Sequence, residues 1–419
     1  MSDQMAQQPS LAHYGLRNFP PGVRPPINSN SVVRFDAETV RHDALSTRIV
    51  VHGRFPALVR QFLAHKRLHG SSVEKAFYHA GLTWQQEVAR LVEKRALVFM
   101  SGNDMTVLRS GERIGAAYAE WDRVGTDEER RNKHLFLSEY LSYDEIMLSS
   151  LIGVSGPSYF INDGRRRNAG RPGKTGDFEP RGIIVGLVGA RFEREDRMDS
   201  AHVLREVRDP RLHPQLRDIF LEFFGQGRDP GLDFDKNMYK ARIRVTADIL
   251  LLEADQRAKA AGKRAHVYVV GLGLGVWAWH GVDQSRLYVQ GFIESLHDLS
   301  GSLSHIGTVE FAWIGEVLGF KQRSMTFGAA QRTIDVRFTR RSPAEKLTGA
   351  DEGQLLVLSY AWDGNALPGN EYWVGSLTAT GDPAAACMST ISELHNPMIN
   401  PGLLARVEVL DRPDSSGPN

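Results

Sequence analysis

Between residues 180 and 400 the chain alternates short, continuous apolar segments with longer amphipathic ones, and this alternation limits the folds that it can adopt. The segments GIIVGLVGARFE, HVYVVGLGLG, TVEFAWIG and QLLVLSY predict buried strands, because each is an apolar run bounded by turns. Residues 238–261, QSRLYVQGFIESLHDL and DPAAACMSTISELHNP predict helices. Strands that alternate with helices indicate an α/β protein with a mainly parallel sheet in three layers.

The rest of the chain suggests four parts. Residues 1–35 and 411–419 are rich in polar residues and proline and predict disordered tails. Residues 36–150 predict a mostly helical N-terminal region, with helices over 55–65 and 84–93 and a short strand at ALVFM. Residues 151–410 contain the α/β core. The N-terminal region either forms its own domain, docks a partner protein or supports the sheet.

Composition excludes several classes of protein. The 51 basic residues nearly balance the 50 acidic ones, so the net charge of +1 gives no argument for a nucleic acid or membrane partner. A single cysteine, Cys387, excludes an internal disulfide and a cysteine-rich metal site. The sequence MSDQMAQQPS lacks the features of a secretory signal, and no apolar run reaches the roughly 20 residues of a membrane-spanning helix. We therefore expect a soluble cytoplasmic protein or an effector exported by dedicated machinery.

Three loops that follow predicted strands have unusual compositions: GARFERE, GLGLGVW and AWDGNALPGNEYW. In parallel α/β sheets, ligands bind where the carboxyl ends of the strands lead into helices. We therefore expect these loops to converge on one edge of the sheet and to form one site.

The loop GLGLGVW places Gly271, Gly273 and Gly275 between a strand and a helix. Glycines allow backbone N–H groups to approach an anion closely, and the start of a following helix favours negative charge. A diphosphate suits this arrangement. The alternative is a tight strand exit in which small residues permit close packing, and the sequence leaves both interpretations open.

The loop AWDGNALPGNEYW combines acids, amides and aromatics. Asp363 and Glu371 resemble the paired carboxylates that cleave glycosidic bonds through an oxocarbenium-like transition state. Asn365 and Asn370 belong to DGN and PGN, which are also turn formers. Trp373 follows the turn and has no role in turn chemistry. Asp382, in GDPAA, is typical of a helix N-cap and is also a candidate third acid.

Two further segments contain candidate ligand contacts. Arg191 and Phe192 lie at a predicted strand end, where an arginine either binds phosphate or pairs with Glu193 or Glu195, and where an aromatic ring can stack on adenine. Asn162 and Asp163 in FINDG end an apolar segment and are candidates to contact a base or a ribose. The basic sequence RRRNAGRPGK that follows is either a nucleic acid contact or a solvated loop.

The chain resembles the MavL-like ADP-ribosyl hydrolases, a branch of the macrodomain superfamily related in fold to poly(ADP-ribose) glycohydrolases. The resemblance spans about 150–400 and rests on VGLVGARFE with Met198 after it, on VYVVGLGLGVW, and on YAWDGNALPGNEYW continuing into DPAAA. The last of these motifs is the most specific. The chain departs from ordinary macrodomains in lacking an NAAN sequence followed by three glycines, and in the order of its loops.

The resemblance implies a macrodomain-like three-layer α/β/α sandwich with a mixed, mainly parallel sheet and an N-terminal mostly helical extension. It implies an enzyme that binds ADP-ribose and removes it from a protein side chain, with arginine as the expected linkage. Its acidic site residues correspond to Asp363, Glu371 and Asp382. Its diphosphate loop corresponds to Gly271, Leu272, Gly273, Leu274, Gly275, Val276 and Trp277.

With these roles, we expect the adenine near Phe192 and FINDG and the distal ribose at the loop that carries Asp363 and Glu371. We expect an ADP-ribosylated protein as substrate and neither nucleic acid nor a membrane as partner. No cofactor or metal is required, although a third acid makes Mg²⁺ assistance conceivable. The alternatives are a non-catalytic reader of ADP-ribose, an NAD glycohydrolase or transferase, and an RNA-binding protein that uses the basic loop.

Overall fold

The computed structural model of the protein describes residues 10–23, 29–115, 117–205, 212–229, 231–314, 323–327, 332–377 and 387–411. Its strands are β1 (Arg48–His52), β2 (Val98–Met100), β3 (Met105–Val107), β4 (Arg113–Ile114), β5 (Ile152–Tyr159), β6 (Arg181–Leu187), β7 (Ala265–Val269), β8 (Ile306–Ala312), β9 (Arg323–Phe327), β10 (Arg332–Thr339), β11 (Leu355–Ala361) and β12 (Val407–Leu410). Its α-helices are α1 (Ala37–Ser46), α2 (Phe55–His69), α3 (Ser72–Phe77), α4 (Trp84–Glu93), α5 (Tyr118–Trp121), α6 (Tyr143–Ser149), α7 (Ser200–Val203), α8 (Pro214–Phe224), α9 (Lys236–Ala260), α10 (Gln284–Asp298), α11 (Asn370–Trp373) and α12 (Ile391–Leu394). The 3-10 helices are Leu11–Tyr14, Val32–Arg34, Glu129–Arg131, Arg166–Asn168, Gly349–Asp351 and Pro401–Ala405.

The described strands form one nine-stranded sheet in the order β12-β1-β5-β6-β11-β7-β8-β10-β9, and a small sheet of β2, β3 and β4. Five of the eight neighbouring pairs in the large sheet are parallel. The helices α9 and α10 pack against each other, and α9 also contacts β1 and β7, while α1 contacts β5. These layers confirm the predicted mixed, mainly parallel three-layer α/β/α architecture with a mostly helical N-terminal extension.

Four of the predicted helices are present. Of the fifth, DPAAACMSTISELHNP, residues 382–386 lie outside the described residues, and the described part contains the short helix α12 and not one continuous helix. The segment predicted at 238–261 is α9, where the Asp235 side chain caps the first turn by accepting hydrogen bonds from the N–H groups of Asn237 and Met238 at 3.1 and 2.9 Å. The segments predicted at 55–65 and 84–93 are α2 and α4. In the described residues, no helix has the length and apolar character that crossing a bilayer requires.

The N-terminal region contributes a strand to the central sheet, which the sequence does not predict. β1 pairs in parallel with β12 and antiparallel with β5, so the sheet contains residues from both the 36–150 and the 151–410 regions. Its sequence, RIVVH, is too short for its periodicity to distinguish a strand from a helix end. The predicted boundary near residue 150 therefore does not separate two sheets.

The predicted disorder of residues 1–35 is corrected for the part of that segment that the structure describes. Leu11, Tyr14 and Val32 are buried and pack with α1 and with Ile399. Burial of these apolar side chains offsets the conformational entropy that is lost when the segment becomes ordered, a balance that composition alone does not show. Residues 1–9, 24–28 and 412–419 lie outside the described residues.

Candidate active site

Three strand-end loops meet at one edge of the sheet, which confirms the predicted convergence. β6, β11 and β7 are parallel neighbours, so their carboxyl ends lie side by side. The N–H of Trp362 donates to the carbonyl oxygen of Leu187 at 2.9 Å. The N–H of Phe192 donates to the carbonyl oxygen of Trp277, also at 2.9 Å. We call residues 271–277, after β7, the glycine loop and residues 362–373, after β11, the acidic loop.

Two glycines of the glycine loop have different surroundings. Gly273 has a positive φ of 75°, and a Cβ there would lie 2.5 Å from the carbonyl oxygen of Ala190. It is therefore needed for close packing between two strand ends. Gly275 is exposed, and a Cβ there would meet nothing within 4 Å. Of the two interpretations that the sequence left open, close packing applies to Gly273. The open space at Gly275 is compatible with the approach of a ligand.

The glycine loop presents backbone donors that the described protein does not use. No described residue accepts a hydrogen bond from the N–H groups of Gly273, Gly275, Val276 and Trp277. Unused neighbouring N–H groups are suited to an anion such as phosphate. The helix α10 begins only at Gln284 and is capped by Asp283, which accepts from the N–H of Arg286 at 3.0 Å. The predicted support of the anion by a helix start directly after the loop is therefore not observed.

Asp363 lies beneath the surface, with only 2% of its side chain exposed. One carboxylate oxygen accepts the N–H of Asn365 at 2.8 Å, and the other lies 3.5 Å from the guanidinium of Arg191. Burial raises the pKa of Asp363 to about 6, although the charge of Arg191 opposes the shift. Asp363 therefore lies below the surface of the candidate site, as a carboxyl group whose pKa of about 6 is close to neutral.

Arg191 occupies the centre of a buried group of carboxylates. Its guanidinium lies 2.7 Å from Glu193, 3.7 Å from Asp104 and 3.5 Å from Asp363. Burial disfavours its charge, but these three carboxylates hold its pKa above the ordinary value. The predicted alternative of a pair with Glu193 is confirmed. A guanidinium that is 2% exposed and already surrounded by carboxylates is not available to fork onto a phosphate, so the predicted phosphate contact has no support in this geometry.

The N-terminal region holds the acidic loop through Arg95, which sequence analysis missed. Arg95 is fully buried and stacks over the ring of Trp362, 3.8 Å from its centroid. Its side chain donates to the carbonyl oxygens of Leu91, Asp363 and Ser149 at 2.8, 2.9 and 3.0 Å. Burial lowers the pKa of Arg95 to about 9. The main chain of Asp363 is thus anchored to α4 and α6.

The amides of the acidic loop have structural environments. The Asn370 side chain accepts the N–H of Phe99 at 2.9 Å and donates to the carbonyl oxygen of Phe99 at 3.2 Å. It extends β2 and is not available for the ribose contact that the sequence suggested. Asn365 is fully buried, and no described residue hydrogen-bonds to its side-chain amide. The geometry therefore gives no direct support to ribose contacts from either residue.

Phe192 does not supply the predicted adenine contact. Its ring is 4% exposed and packs in the core against Phe234 and Tyr239, with centroids 5.5 and 6.2 Å away. The apolar character that suggested stacking on a base instead packs the strand end against the helical layer.

Asn162 and Asp163 have local partners. β5 is antiparallel to β6, so its last residue, Tyr159, pairs with Arg181, the first residue of β6. This end of the strands lies at the edge of the sheet opposite to the strand-end loops. The Asn162 amide donates to the carbonyl oxygen of Arg171 and accepts the N–H of Gly164, at 2.9 and 2.8 Å. Asp163 pairs with Arg165 at 3.0 Å. Their predicted contacts with a base or ribose have no support in this geometry.

Glu371 and Trp373 lie in α11, at the end of the acidic loop. Glu371 is half-buried, more accessible than Asp363. The indole N–H of Trp373 donates to the carbonyl oxygen of Pro368 at 3.0 Å, and its ring packs edge-on against Phe19, 5.7 Å away. Trp373 thus shapes the loop. Asp382, the predicted third acid, lies outside the described residues.

A second residue that sequence analysis missed is Trp313, which follows β8. Its side chain is 67% exposed, and its indole N–H donates to the carbonyl oxygen of Arg341 at 3.0 Å. Its φ of 58° is unusual for a residue other than glycine. The next residue, Ile314, lies beside Gly271 of the glycine loop. The sequence predicts a strand over TVEFAWIG that includes Trp313, whereas β8 ends at Ala312 and leaves Trp313 directly after the strand.

A cavity of about 440 Å³ lies elsewhere, beside the ends of β1 and β12. It contains none of the predicted site residues, and its charged side chains pair with one another: Lys240 with Glu294 at 2.7 Å, and His52 with Asp248 at 3.4 Å. Among the described residues, no three His, Cys, Asp or Glu side chains are grouped as a metal site would require.

The fold and the candidate site define an α/β protein in which, at the carboxyl edge of the parallel strands, a loop of acids adjoins a glycine loop whose amides have no acceptor in the described part of the chain. Comparison with known proteins gives this class a family. A family model described as ADP-ribosylhydrolase MavL-like matches residues 18–208 and 221–409. The chain belongs to the MavL-like ADP-ribosylhydrolase family.

Two relatives from Drosophila melanogaster are similar over most of the chain. ADP-ribosylarginine hydrolase CG3568 is 38% identical over 410 residues, covering 87% of this chain and 77% of the relative. ADP-ribosylarginine hydrolase CG2909 is 35% identical over 399 residues, covering 86% and 78%.

Proposed function

We propose that this protein hydrolyses the N-glycosidic bond that links ADP-ribose to an arginine side chain of another protein. The chain is an ADP-ribosylhydrolase by family, and two relatives with more than a third of their aligned residues identical are named ADP-ribosylarginine hydrolases. The observation that supports the proposal most directly is the juxtaposition of the glycine loop and the acidic loop on neighbouring strands.

The ligand is placed across three strand ends. The diphosphate lies over the N–H groups of Gly275, Val276 and Trp277, which have no acceptor among the residues that the structure describes. The adenine stacks on the exposed indole of Trp313, since Phe192 is buried. The distal ribose then reaches the acidic loop, because β11 adjoins β7 on the side opposite to β8.

The acids have different roles because their exposures differ. Glu371, the more accessible, takes a proton from a water molecule whose oxygen attacks the anomeric carbon. The bond between that carbon and the arginine nitrogen breaks, and the proton is returned to the leaving nitrogen. Asp363 acts from below the surface, where its negative charge favours the cationic guanidinium and the oxocarbenium-like transition state. Arg191 fixes the position of the Asp363 carboxylate, and Mg²⁺ is not required by these roles.

The test is the release of free ADP-ribose from an arginine-ADP-ribosylated protein. Glu371→Gln should lower kcat by about 10²–10⁴-fold, since the variant lacks the general base, and should leave the affinity for ADP-ribose within threefold. Glu352→Gln, an exposed acid before β11, is the matched control and should keep full activity. Trp313→Ala should raise KM with little change in kcat, because stacking binds ground state and transition state alike.

Full turnover by Glu371→Gln would refute the catalytic assignment. A wild-type protein that binds ADP-ribose and releases none from the modified protein would be a reader. Release of nicotinamide from free NAD would instead indicate a glycohydrolase or transferase.

A further inference from the structure

Glu193 is an acid at the candidate active site that the mechanism above does not use. It follows β6, in the same segment as Arg191 and Phe192. The N–H of Phe192 donates to the carbonyl oxygen of Trp277 in the glycine loop at 2.9 Å. The guanidinium of Arg191 lies 3.5 Å from the carboxylate of Asp363 in the acidic loop. The segment that carries Glu193 therefore contacts both loops of the candidate site.

Only one oxygen of the Glu193 carboxylate has a partner in the described part of the chain. Nε and Nη2 of Arg191 both donate to Oε2, at 3.1 and 2.7 Å, and no described residue donates to Oε1. The Glu193 side chain is 18% exposed, whereas the other two carboxylates around Arg191, those of Asp363 and Asp104, are 2% and 1% exposed. Glu193 is therefore the carboxylate of this group that a ligand can reach.

Arg191 does not neutralise the carboxylates around it. Its guanidinium faces three of them, and Asp104 is shared with a second arginine, Arg194, at 3.0 Å. Nη1 of Arg191 and Oδ2 of Asp363 are buried, and neither has a hydrogen-bond partner among the residues that the structure describes. A further cation beside Oε1 of Glu193 would lower the electrostatic energy of the group.

The order of the strands puts Glu193 on the path of the arginine side chain. In the proposed binding mode the adenine lies at the end of β8, the diphosphate at β7 and the distal ribose at β11, which are successive strands of the sheet. The modified arginine is attached to the anomeric carbon of the distal ribose, so it continues away from the diphosphate. The next strand in that direction is β6, which is parallel to β11 and leads into the segment of Glu193.

We propose that Glu193 binds the guanidinium of the ADP-ribosylated arginine and thereby determines which linkage the enzyme accepts. The inference rests on the proposed function. Oε1 accepts a charge-assisted hydrogen bond from the guanidinium, while Oε2 stays bound to Arg191. An ester-linked ADP-ribose offers no cation at this position and leaves as a carboxylate, which Glu193 disfavours.

The experiment measures the affinities of ADP-ribose and of intact ADP-ribosylarginine by calorimetry, in a Glu371→Gln protein whose turnover is slow. Adding Glu193→Gln should weaken the binding of ADP-ribosylarginine about tenfold, because a charge-assisted hydrogen bond is lost. The affinity for ADP-ribose, which has no guanidinium, should stay within about twofold. In the protein that retains Glu371, Glu193→Gln should lower kcat/KM for ADP-ribosylarginine about tenfold, mainly through KM.

The matched control is Glu195→Gln, which removes the charge of an exposed glutamate two residues further along and should change neither affinity. Unchanged affinity of the Glu193→Gln protein for ADP-ribosylarginine would overturn the inference. Equal losses for both ligands would overturn it as well, because Glu193 would then act on the ADP-ribose pocket through Arg191. A wild-type protein that binds ADP-ribosylarginine and releases no ADP-ribose would refute the proposed function and leave the comparison of affinities intact, so the two failures are distinguishable.

Discussion

The acidic loop and the glycine loop lie side by side at one edge of the sheet, yet they are held in opposite ways. The acidic loop is buried and fixed by side chains from distant parts of the chain, Arg95 and Arg191 among them. The glycine loop is held mainly by its own backbone and by contact with the end of β6, and four of its N–H groups have no described acceptor.

This difference follows from the charge that each loop presents. Carboxylates in a low-dielectric environment must be fixed by partners, since an uncompensated buried charge is costly. Backbone amides that bind an anion must remain free of protein acceptors and exposed to the ligand. The N-terminal region is therefore part of the site: of the roles that the sequence left open, support of the sheet and of its acidic loop is the one that the contacts of Arg95 demonstrate.

The largest expected effect comes from a substitution of Arg95, which holds the acidic loop but not the glycine loop. Arg95→Met should lower the free energy of unfolding by about 2–4 kcal/mol, because the buried carbonyl oxygens of Asp363 and Ser149 lose the guanidinium donor, while that of Leu91 keeps only the Ser149 hydroxyl. Hydrolytic activity should fall as well, since the main chain of Asp363 is released. Urea denaturation and turnover assays measure the two effects. The neighbouring Lys94→Met removes only a partly exposed pair with Glu139 and should cost less than about 1 kcal/mol. Similar stability losses in the two variants would contradict this account.

Substitutions at two glycines of the glycine loop should separate the effect on ADP-ribose binding from the effect on stability. Gly275→Val should weaken ADP-ribose binding about 10–100-fold in calorimetry and leave Tm unchanged, because the new side chain enters open space that we propose the diphosphate occupies. Gly273→Ala should lower the free energy of unfolding by about 1–3 kcal/mol, since its φ is 75° and its Cβ would meet Ala190. Unchanged affinity in the folded Gly275→Val protein would move the diphosphate elsewhere.

The smallest expected effect concerns the pH dependence of stability at Asp363. Burial raises its pKa from 3.8 to about 6, so the folded protein binds this proton more tightly than the unfolded chain does. The resulting stabilisation is complete below about pH 4 and is lost as the pH rises through about 6. Between pH 5 and pH 8, wild type should lose roughly 1 kcal/mol of unfolding free energy relative to Asp363→Asn, which is neutral throughout. Urea denaturation at both pH values measures this; a constant difference between the two proteins would show that the pKa is not raised.

The sequence was sufficient for the central strands and for the convergence of the loops that form the candidate site. The apolar runs of β6, β7, β8 and β11 are long enough to identify strands buried on both faces, and α9 has the length of a helix. Parallel strands necessarily bring their carboxyl ends to one edge, so the convergence of the acidic loop and the glycine loop followed from local pattern alone. β1 was missed because it has five residues and owes its state to its neighbours β12 and β5.

What each side chain does in the site was decided by tertiary structure. Arg95 and Asp363 are 268 residues apart in the chain, and no local signal indicates that one anchors the other. Phe192 and Trp313 are both aromatic residues at strand ends, yet one is 4% and the other 67% exposed. A sequence pattern records the preference of a residue for burial or charge, whereas its partner and its accessibility depend on which distant segments pack around it.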